Sequence, residues 1–136
     1  MGYTGELLIG LDAGTTSVKA VLMQPDGKVL ASAGKEYILD TSLPDRCEVN
    51  PAVYWESAIH CIRQLLRESA VPPSAVRALA VSSQGETLIC TDASGRPLRN
   101  AIVWLDNRSV READVLRKEF GQKTILEITG QPEILP

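Results

Sequence analysis

The sequence predicts an α/β fold in which helices pack against a mixed sheet. Two observations support this prediction. Short apolar runs separated by Gly- and Pro-containing turns fill roughly the first 37 residues, and a helical pattern of apolar residues follows them before more strand-like runs. The chain has 136 residues, is 44% hydrophobic and carries a net charge of −3, which suits one folded domain with a real core.

The N-terminal residues are predicted to form a β-meander. Residues 6–11 are an apolar run that ends at Asp12, and we expect this run to be a strand buried on both faces. Residues 18–23 and 28–37 follow as the second and third strands. The segment Pro25–Gly27 between them is a strong hairpin signal.

A long amphipathic helix is predicted after a polar loop at residues 40–48. Asn50 and Pro51 are typical of a helix start, and the helix is expected to run to about Ser69, shortly before two prolines. Trp55 is interpreted as a structural residue of its apolar face. That face is predicted from spacings of three and four and comprises Trp55, Ala58, Ile59, Ile62, Leu65 and Leu66.

The second half of the chain contains shorter elements. Strands are predicted at residues 77–82, 87–91 and 101–104, with a hairpin turn at 92–95. A helix is predicted from Val110 to Phe120, and Gly121 is a plausible stop. Residues 126–136 show no capping or closing pattern, so we expect them to continue into a longer protein.

Composition excludes several classes of function. Cys47, Cys61 and Cys90 are widely spaced, so neither a zinc site nor a disulfide framework is expected, and a reducing cytoplasm is the predicted location. The single histidine, His60, lies within the predicted helix and is interpreted as structural, which removes most Ser-His and Cys-His catalysis. The slightly acidic charge argues against nucleic-acid binding, and no apolar run is long enough to span a membrane.

The turn Asp12–Ser17 between the first two strands is the first candidate site, and Lys19 follows it on the second strand. Its aspartate suits Mg²⁺, which keeps most of its waters when a protein binds it. Gly14 lets the backbone approach a phosphate, the N–H groups of such a turn can form an anion-binding nest, and Thr15 and Thr16 add donors. The structural alternative is a hairpin that merely requires Gly and Asp. The flanking strands and Lys19 favour phosphate binding.

The loop Ser82–Thr87 is the second candidate site, because ligands collect where strands end in α/β folds. Gln84 and Glu86 carry groups that hydrogen-bond polyol hydroxyls, and Gly85 leaves room beside them. Taken alone, this loop fits the structural alternative of a solvated, glycine-containing loop better.

The segment Trp104–Arg108 is the third candidate site. A tryptophan beside the Asp106 carboxylate and the Arg108 guanidinium offers a sugar an apolar plate and directional hydrogen-bond partners. The structural alternative is a core tryptophan with an Asp106–Arg108 pair that caps the next helix, and for this segment alone both interpretations stay open.

Taken together, these motifs resemble the N-terminal part of the FGGY family of carbohydrate kinases, which includes glycerol kinases and xylulokinases. The resemblance covers nearly the whole chain, and it rests on several segments in the same order. These segments are Asp12–Ser17, Val49–Trp55, Gln84–Thr87, Gly95–Leu98 and Ala101–Arg108, followed by Thr129–Gly130.

The resemblance implies a ribonuclease-H-like, actin-like ATPase fold, of which the family has two copies around a cleft. It also implies transfer of the γ-phosphoryl group of ATP to a hydroxyl of a sugar or polyol, with ATP and Mg²⁺ as cofactors and with catalysis mainly by positioning and charge neutralisation. Asp12 would be the catalytic residue that holds the metal through water. The nucleotide phosphates would contact Gly14, Thr15, Thr16, Ser17 and Lys19, and the substrate would contact Gln84, Gly85, Glu86, Trp104 and Asp106.

One departure from the family concerns the substrate. Glycerol kinases carry Arg-Glu, and xylulokinases carry Met-His, where this chain has Gly85–Glu86. A Gly-Glu pair keeps an acceptor and opens space, so we expect a longer polyol or a ketose rather than glycerol or xylulose.

A second departure concerns length. In relatives the general base is an aspartate on a later segment and adenosine binds in the second domain, so both are expected beyond Pro136. We therefore expect residues 1–136 to be the N-terminal part of the first kinase domain, without the remainder of that domain and the second domain, and to show no turnover alone. Such a piece should expose apolar surface, which predicts marginal stability or association, for example as a homodimer.

Three alternatives remain open at the level of sequence. Another actin-like ATPase would share the first turn but would have no need of Trp104–Arg108. A ribonuclease-H-like nuclease would require Asp12, Glu86 and Asp106 to converge on a pair of metal ions. A truncated relative would act as a binding or regulatory protein without catalysis.

Overall fold

The alternation of strands and helices along the chain matches the predicted α/β class. The computed structural model describes residues 5–132 and 134. The strands are β1 (Leu7–Ala13), β2 (Ser17–Met23), β3 (Val29–Glu36), β4 (Glu48–Val49), β5 (Val76–Ser83) and β6 (Ala101–Ile102). The helices are α1 (Ala52–Ser69), α2 (Val110–Phe120) and α3 (Gln122–Thr129), with one turn of 3-10 helix at Pro73–Ala75.

The described residues form two structural units. The first unit contains the residues up to Ile38 together with Asn50–Gly85, and the second contains Leu39–Val49 together with the residues from Glu86 onward. The first unit therefore holds β1, β2, β3, α1 and β5, and the second holds β4, β6, α2 and α3.

The first unit is built on a four-stranded mixed sheet with the order β3-β2-β1-β5. Strands β1, β2 and β3 pair antiparallel, which confirms the predicted meander, and Gly27 has the positive φ of 89° that its hairpin turn requires. Strand β5 pairs parallel to β1. A parallel pair needs a long crossover, and α1 lies in the connection that supplies it.

Helix α1 covers one face of this sheet and forms the core of the unit with it. The buried side chains include Leu7, Leu22 and Val18 of the sheet and Leu65 of the helix. The helix begins one residue later than predicted, with Pro51 at the N-cap position, and Asn50 Oδ1 accepts a hydrogen bond from the Ala52 N–H at 3.0 Å just before it.

The prediction that the first strand is buried on both faces is wrong. In β1, Leu7, Ile9 and Leu11 are buried, whereas Leu8 and Gly10 on the opposite face are only partly buried. The reason is that α1 packs on one face of the sheet, and among the described residues of this unit no second α-helix covers the other face. A continuous apolar run cannot by itself distinguish these two situations.

The predicted helix face is confirmed in part, because Leu65 is buried and Ala58 and Ile62 pack against the core. The inclusion of Trp55 is wrong, since Trp55 is 72% exposed, and His60 is exposed as well. The buried stripe consists of Ser57, Cys61 and Leu65 at spacings of four. Small side chains at two of these positions let the helix approach the sheet closely, so that the Cys61 Sγ lies 3.5 Å from the Val18 carbonyl oxygen.

In the second unit, β4 and β6 pair antiparallel. The turn at Asp92–Gly95 is present as predicted, but residues 87–91 do not form the predicted strand and make only isolated bridges, Leu88 with Ile102 and Thr91 with Pro97. Helix α2 has the predicted bounds and ends at Gly121.

Helix α3 was not predicted. It runs over Gln122–Thr129 and ends at Gly130, whose φ of 73° is typical of a helix stop. The predicted irregular tail, residues 126–136, therefore begins in a helix; residues 133, 135 and 136 lie outside the described part of the chain. Among the residues that the structure describes, no helix is both long and apolar enough to cross a membrane.

Candidate functional site

The turn between β1 and β2 brings the first group of predicted residues together. Asp12 lies next to the end of β1 and pairs in register with Lys19 of β2. The turn closes through one internal hydrogen bond, from the Gly14 N–H to the Ser17 carbonyl oxygen at 2.9 Å. The Gly14 amide is therefore used inside the turn, and the predicted anion-binding nest cannot include it.

Gly14 is required by close approach. A Cβ at this position would lie 3.2 Å from the Ser17 carbonyl oxygen and 3.9 Å from Asp12 Oδ2. The first distance is tighter than ordinary van der Waals contact, and its partner is backbone that cannot move cheaply. A side chain at this position would push the turn apart beside the Asp12 carboxylate.

Asp12 faces a hollow on the face of the sheet opposite α1. A cavity of about 380 Å³ lies there. The walls of this cavity are almost entirely apolar, and Asp12, Lys19 and Ser82 border it together with Gly10, Leu11, Ala20, Val21, Ala80 and Val81. The carboxylate is exposed and the lysine lines the same cavity, so both groups are accessible to a ligand.

The exposed Asp12 carboxylate at the border of this cavity fits a magnesium ion that is held largely by water and phosphate. Among residues 5–132 and 134, no three His, Cys, Asp or Glu side chains form a cluster that could hold a metal ion. Mg²⁺ requires few protein ligands and retains several waters, so the single carboxylate of Asp12 is sufficient. The two-metal arrangement of the nuclease alternative requires several carboxylates, and the described residues do not provide it.

Tyr37 and Gln84 hold the turn from outside. The Tyr37 N–H donates to the Thr16 carbonyl at 3.0 Å, and the Tyr37 hydroxyl donates to the Gly14 carbonyl. The Gln84 N–H donates to the Ala13 carbonyl at 3.0 Å. Sequence reasoning placed Tyr37 only at the end of a strand, because no local pattern indicates a contact that spans more than 20 residues.

The environment of Tyr37 favours its protonated form. Burial, followed by electrostatic interaction with the Tyr54 hydroxyl and with the Asp12 carboxylate, raises the pKa of Tyr37 from 10.0 to about 12. The hydroxyl therefore remains a hydrogen-bond donor over the whole physiological pH range.

Gln84 and Gly85 end the first unit. Gln84 Nε2 donates to the Tyr54 hydroxyl at 2.9 Å, and Gln84 Oε1 is buried without a hydrogen-bond partner among the described residues. A Cβ on Gly85 would meet no atom within 4 Å. The space beside Gly85 is thus open among the described residues.

Glu86 and Trp104 line one cavity of the second unit, as the sugar-pocket hypothesis requires. The cavity has a volume of about 510 Å³. Its other lining residues are Leu116, Phe120, Thr124, Ile125, Ile128, Thr129, Gln131 and Ile134, most of them from α2 and α3. Sequence reasoning missed the polar members Thr124, Thr129 and Gln131, because it did not predict α3.

Glu86 is held in an unfavourable backbone conformation. Its φ is 62°, in the left-handed region that residues other than glycine rarely adopt. Strain of this kind is often found at binding sites, where the surrounding structure keeps a side chain in place.

Asp106, unlike Glu86 and Trp104, is buried and hydrogen-bonded to other residues of the second unit. It is 3% exposed, and its two carboxylate oxygens accept hydrogen bonds from the Cys47 N–H at 2.7 Å and from the Arg108 side chain at 2.6 and 2.7 Å. Arg108 also pairs with Glu48 at 2.6 Å. The hydrogen bonds of Arg108 hold the pKa of Asp106 well below its usual range, and α2 begins after Ser109 without a side-chain cap.

This geometry bears on the alternatives that were left open for the third segment. Asp106 does not cap the next helix, because α2 begins after Ser109. Its carboxylate is buried and hydrogen-bonded to Cys47 and Arg108, and its contact with a substrate stays a prediction. Trp104 of that segment lines the cavity of the second unit.

Comparison with known proteins identifies relatives over nearly the whole chain. A model of the FGGY family of carbohydrate kinases, N-terminal domain, matches residues 7–134. A glycerol kinase of Borrelia garinii subsp. bavariensis is 35% identical over 124 residues, which are 90% of this chain and 25% of that protein. The chain thus spans about a quarter of the length of the curated relatives that it matches.

Solved structures give the same result. The crystal structure of a gluconate kinase from Lactobacillus acidophilus superimposes with a TM-score of 0.83 at 28% identity and covers 93% of this chain and 25% of that one. A ligand-bound xylulose kinase from the same organism gives a TM-score of 0.82 at 28% identity over 92% of this chain and 25% of that one. These similarities confirm the predicted ribonuclease-H-like, actin-like ATPase fold.

Proposed function

Because the chain belongs to the FGGY family of carbohydrate kinases, we propose that it contributes to transfer of the γ-phosphoryl group of ATP to a hydroxyl of a sugar or polyol. The observation that carries this proposal is the exposed Asp12 carboxylate, which lies beside a glycine-dependent turn at the border of a cavity that Lys19 also lines. The relatives include glycerol, gluconate and xylulose kinases, which supports the same class of reaction.

We propose that the first unit handles ATP phosphate. Asp12 would hold Mg²⁺ through water, and Lys19, which lines the same cavity, would neutralise phosphate charge. Thr15, Thr16 and Ser17 remain the proposed phosphate contacts, with Gly14 required for the close approach of the backbone. The bound Mg²⁺ supplies charge neutralisation for the transferred group, and the residues of the chain orient it.

The cavity of the second unit is the proposed substrate site. Its apolar walls and Trp104 suit the C–H faces of a carbon chain, and the Glu86 carboxylate accepts hydrogen bonds from hydroxyl groups. Gln84 and Gly85 are proposed as further substrate contacts, because Gln84 has an unpartnered buried oxygen among the described residues and Gly85 leaves open space.

The open space at Gly85 supports a substrate longer than glycerol. The resemblance places an arginine of glycerol kinases at this position, and the space that such a side chain would occupy is empty beside Gly85. We therefore propose a polyol with more than three carbons, or a ketose, as the substrate class. The general base and the adenosine site are proposed to come from residues other than 1–136, and cytoplasmic location and homodimer formation stay predictions.

Binding of a carbohydrate panel to this chain tests the substrate proposal. Trp104 fluorescence is the readout, and Trp55→Phe removes the signal of the exposed tryptophan of α1. We expect five- and six-carbon polyols or ketoses to change the fluorescence saturably and glycerol to bind more weakly. Glu86→Gln should weaken binding about 10-fold, because it replaces a charged acceptor by a neutral one.

The matched control is Glu119→Gln, which changes an exposed glutamate of α2 that does not line the cavity and should leave binding unchanged. Equal binding by the Glu86→Gln variant and the unaltered chain would contradict the proposed site. Tighter binding of glycerol than of the longer compounds would contradict the proposed substrate class.

A further inference from the structure

A closed circuit of contacts links the phosphate turn to Gln84. The Gln84 N–H donates to the Ala13 carbonyl at 3.0 Å, and its side-chain Nε2 donates to the Tyr54 hydroxyl at 2.9 Å. The Tyr54 ring meets the Tyr37 ring edge to face, with centroids 5.5 Å apart and planes at 87°. The Tyr37 hydroxyl then donates back to the Gly14 carbonyl, next to Ala13.

The Tyr37–Tyr54 ring pair adds an attractive contact to the hydrogen bonds of the circuit. Perpendicular aromatic rings at this separation attract each other by more than the burial of their apolar surface alone provides. The circuit joins the residue after β3, the first turn of α1, the residue after β5 and the β1–β2 turn, all within the first unit. The sequence did not indicate it, since Tyr37, Tyr54 and Gln84 lie 17 and 30 residues apart.

Tyr37 controls the orientation of the turn through two carbonyl groups. Its N–H holds the Thr16 carbonyl, and its hydroxyl holds the Gly14 carbonyl. In a trans peptide the C=O of one residue and the N–H of the next point in opposite directions, and the described chain contains no cis peptide bond. With the Gly14 carbonyl held by Tyr37, the Thr15 N–H is directed away from the Tyr37 hydroxyl.

We propose that Tyr37, Tyr54 and Gln84 form a positioning relay for the phosphate turn. Tyr37 fixes the peptide between Gly14 and Thr15, and Tyr54 transmits the position of the Gln84 side chain to Tyr37. The inference rests on the proposed function, because the relay would matter only if the turn binds phosphate. Through the relay, a substrate hydroxyl that engages Gln84 Oε1 favours the orientation of the turn that binds phosphate.

Hydrogen exchange of the ligand-free chain tests the relay first. The amides to follow are those of Gly14 and Gln84, which donate to Ser17 and Ala13. In Tyr37→Phe, we expect both amides to exchange about 10-fold faster, and in Tyr54→Phe we expect a smaller increase at Gly14. Unchanged exchange at both amides in Tyr37→Phe would overturn the relay.

The matched control is Ser69→Ala. Ser69 Oγ donates to the Leu65 carbonyl at 2.7 Å, so this variant also removes one hydroxyl-to-carbonyl hydrogen bond from the same unit, at the far end of α1. Its exchange at Gly14 and Gln84 should equal that of the unaltered chain. If Ser69→Ala accelerates these amides as much as Tyr37→Phe does, general loosening explains the effect and the relay is refuted.

Titration with magnesium tripolyphosphate then separates the relay from the proposed function. We expect Tyr37→Phe to weaken binding at least fivefold and Ser69→Ala to leave it unchanged. If the unaltered chain does not bind the probe, the proposed phosphate site fails, and the exchange result still decides the relay. If the unaltered chain binds and Tyr37→Phe binds equally well, the relay fails while the phosphate site stands.

Discussion

Glu86 shows at the scale of single residues how function and stability can be opposed. Its carboxylate lines the proposed substrate cavity, and its backbone is left-handed with a φ of 62°. For a residue with a Cβ this conformation costs about 1–2 kcal/mol. The fold therefore holds Glu86 at a cost that a glycine would avoid.

We predict that Glu86→Gly stabilises the fold and removes carbohydrate binding. The free energy of unfolding should rise by about 0.5–1 kcal/mol, because relief of strain is partly offset by the greater freedom of glycine in the unfolded chain. Chemical denaturation and the fluorescence titration measure the two effects.

Ala70→Gly is the matched control for this variant. Ala70 also has a left-handed φ, of 53°, at the end of α1, away from the cavity lining. It should stabilise the fold by a similar amount and leave binding intact. A Glu86→Gly variant that is less stable than the unaltered chain would show that the glutamate side chain supports the fold.

Sequence reasoning identified the residues of the first turn but not their supports. Asp12, Gly14 and Lys19 follow from a local pattern, and the structure places Asp12 and Lys19 on one cavity. Tyr37 and Tyr54 act through contacts between segments that are distant in sequence, and Asp106 turned out to be buried by partners such as Cys47, 59 residues away. Such contacts leave no periodic signal.

At the scale of elements, the orientation of α1 is the clearest test of the packing. Leu65→Ala should lower the free energy of unfolding by about 2–5 kcal/mol, because it leaves a cavity beside the sheet. Trp55→Ala should change it by no more than about 0.5 kcal/mol, because the tryptophan is 72% exposed. Denaturant unfolding measures both, and a larger loss in Trp55→Ala than in Leu65→Ala would contradict the observed helix face.

The second element-scale prediction concerns the connection before α2. Asp106→Asn should lower the free energy of unfolding by about 2 kcal/mol, because it weakens the bonds to Arg108 and to the Cys47 amide. Asp114→Asn is the control, since its pair with Arg117 is exposed and contributes little.

The pH dependence gives an independent check of this prediction. The pKa of Asp106 is lowered in the folded state, so its contribution is present above the ordinary value of 3.8 and is lost as the pH falls below that value toward the folded-state pKa. The unaltered chain should therefore lose stability more steeply below that pH than Asp106→Asn does. Parallel curves would mean that Asp106 is not ionised and paired in the folded protein.

Elements were predictable where the pattern is local and strong. The meander, its hairpin turns, α1 and α2 carry clear signals, and all of them were confirmed. Residues 87–91 have an apolar pattern but only isolated bridges as partners, and α3 is an eight-residue helix whose apolar positions face a cavity. Short elements of this kind depend on tertiary contacts that propensity does not encode.

At the scale of the whole molecule, the family and its fold were recognisable because several motifs occur in a fixed order over the chain. The matched model covers residues 7–134, and the relatives are about four times longer than this chain. The open sheet face beside Asp12 and exposed apolar residues of β5, such as Leu79 and Val81, agree with the expectation of apolar surface. Association of the isolated chain stays a prediction.

The most direct measurement of the central claim is an NMR titration of this chain with magnesium tripolyphosphate. The claim predicts saturable shifts of the backbone amides of residues 12–19, and at least a fivefold loss of affinity in Asp12→Asn. Asp26→Asn, in the exposed hairpin turn between β2 and β3, should bind like the unaltered chain. Shifts outside residues 12–19 alone, or equal affinity of the Asp12→Asn and Asp26→Asn variants, would contradict a magnesium-dependent phosphate site at this turn.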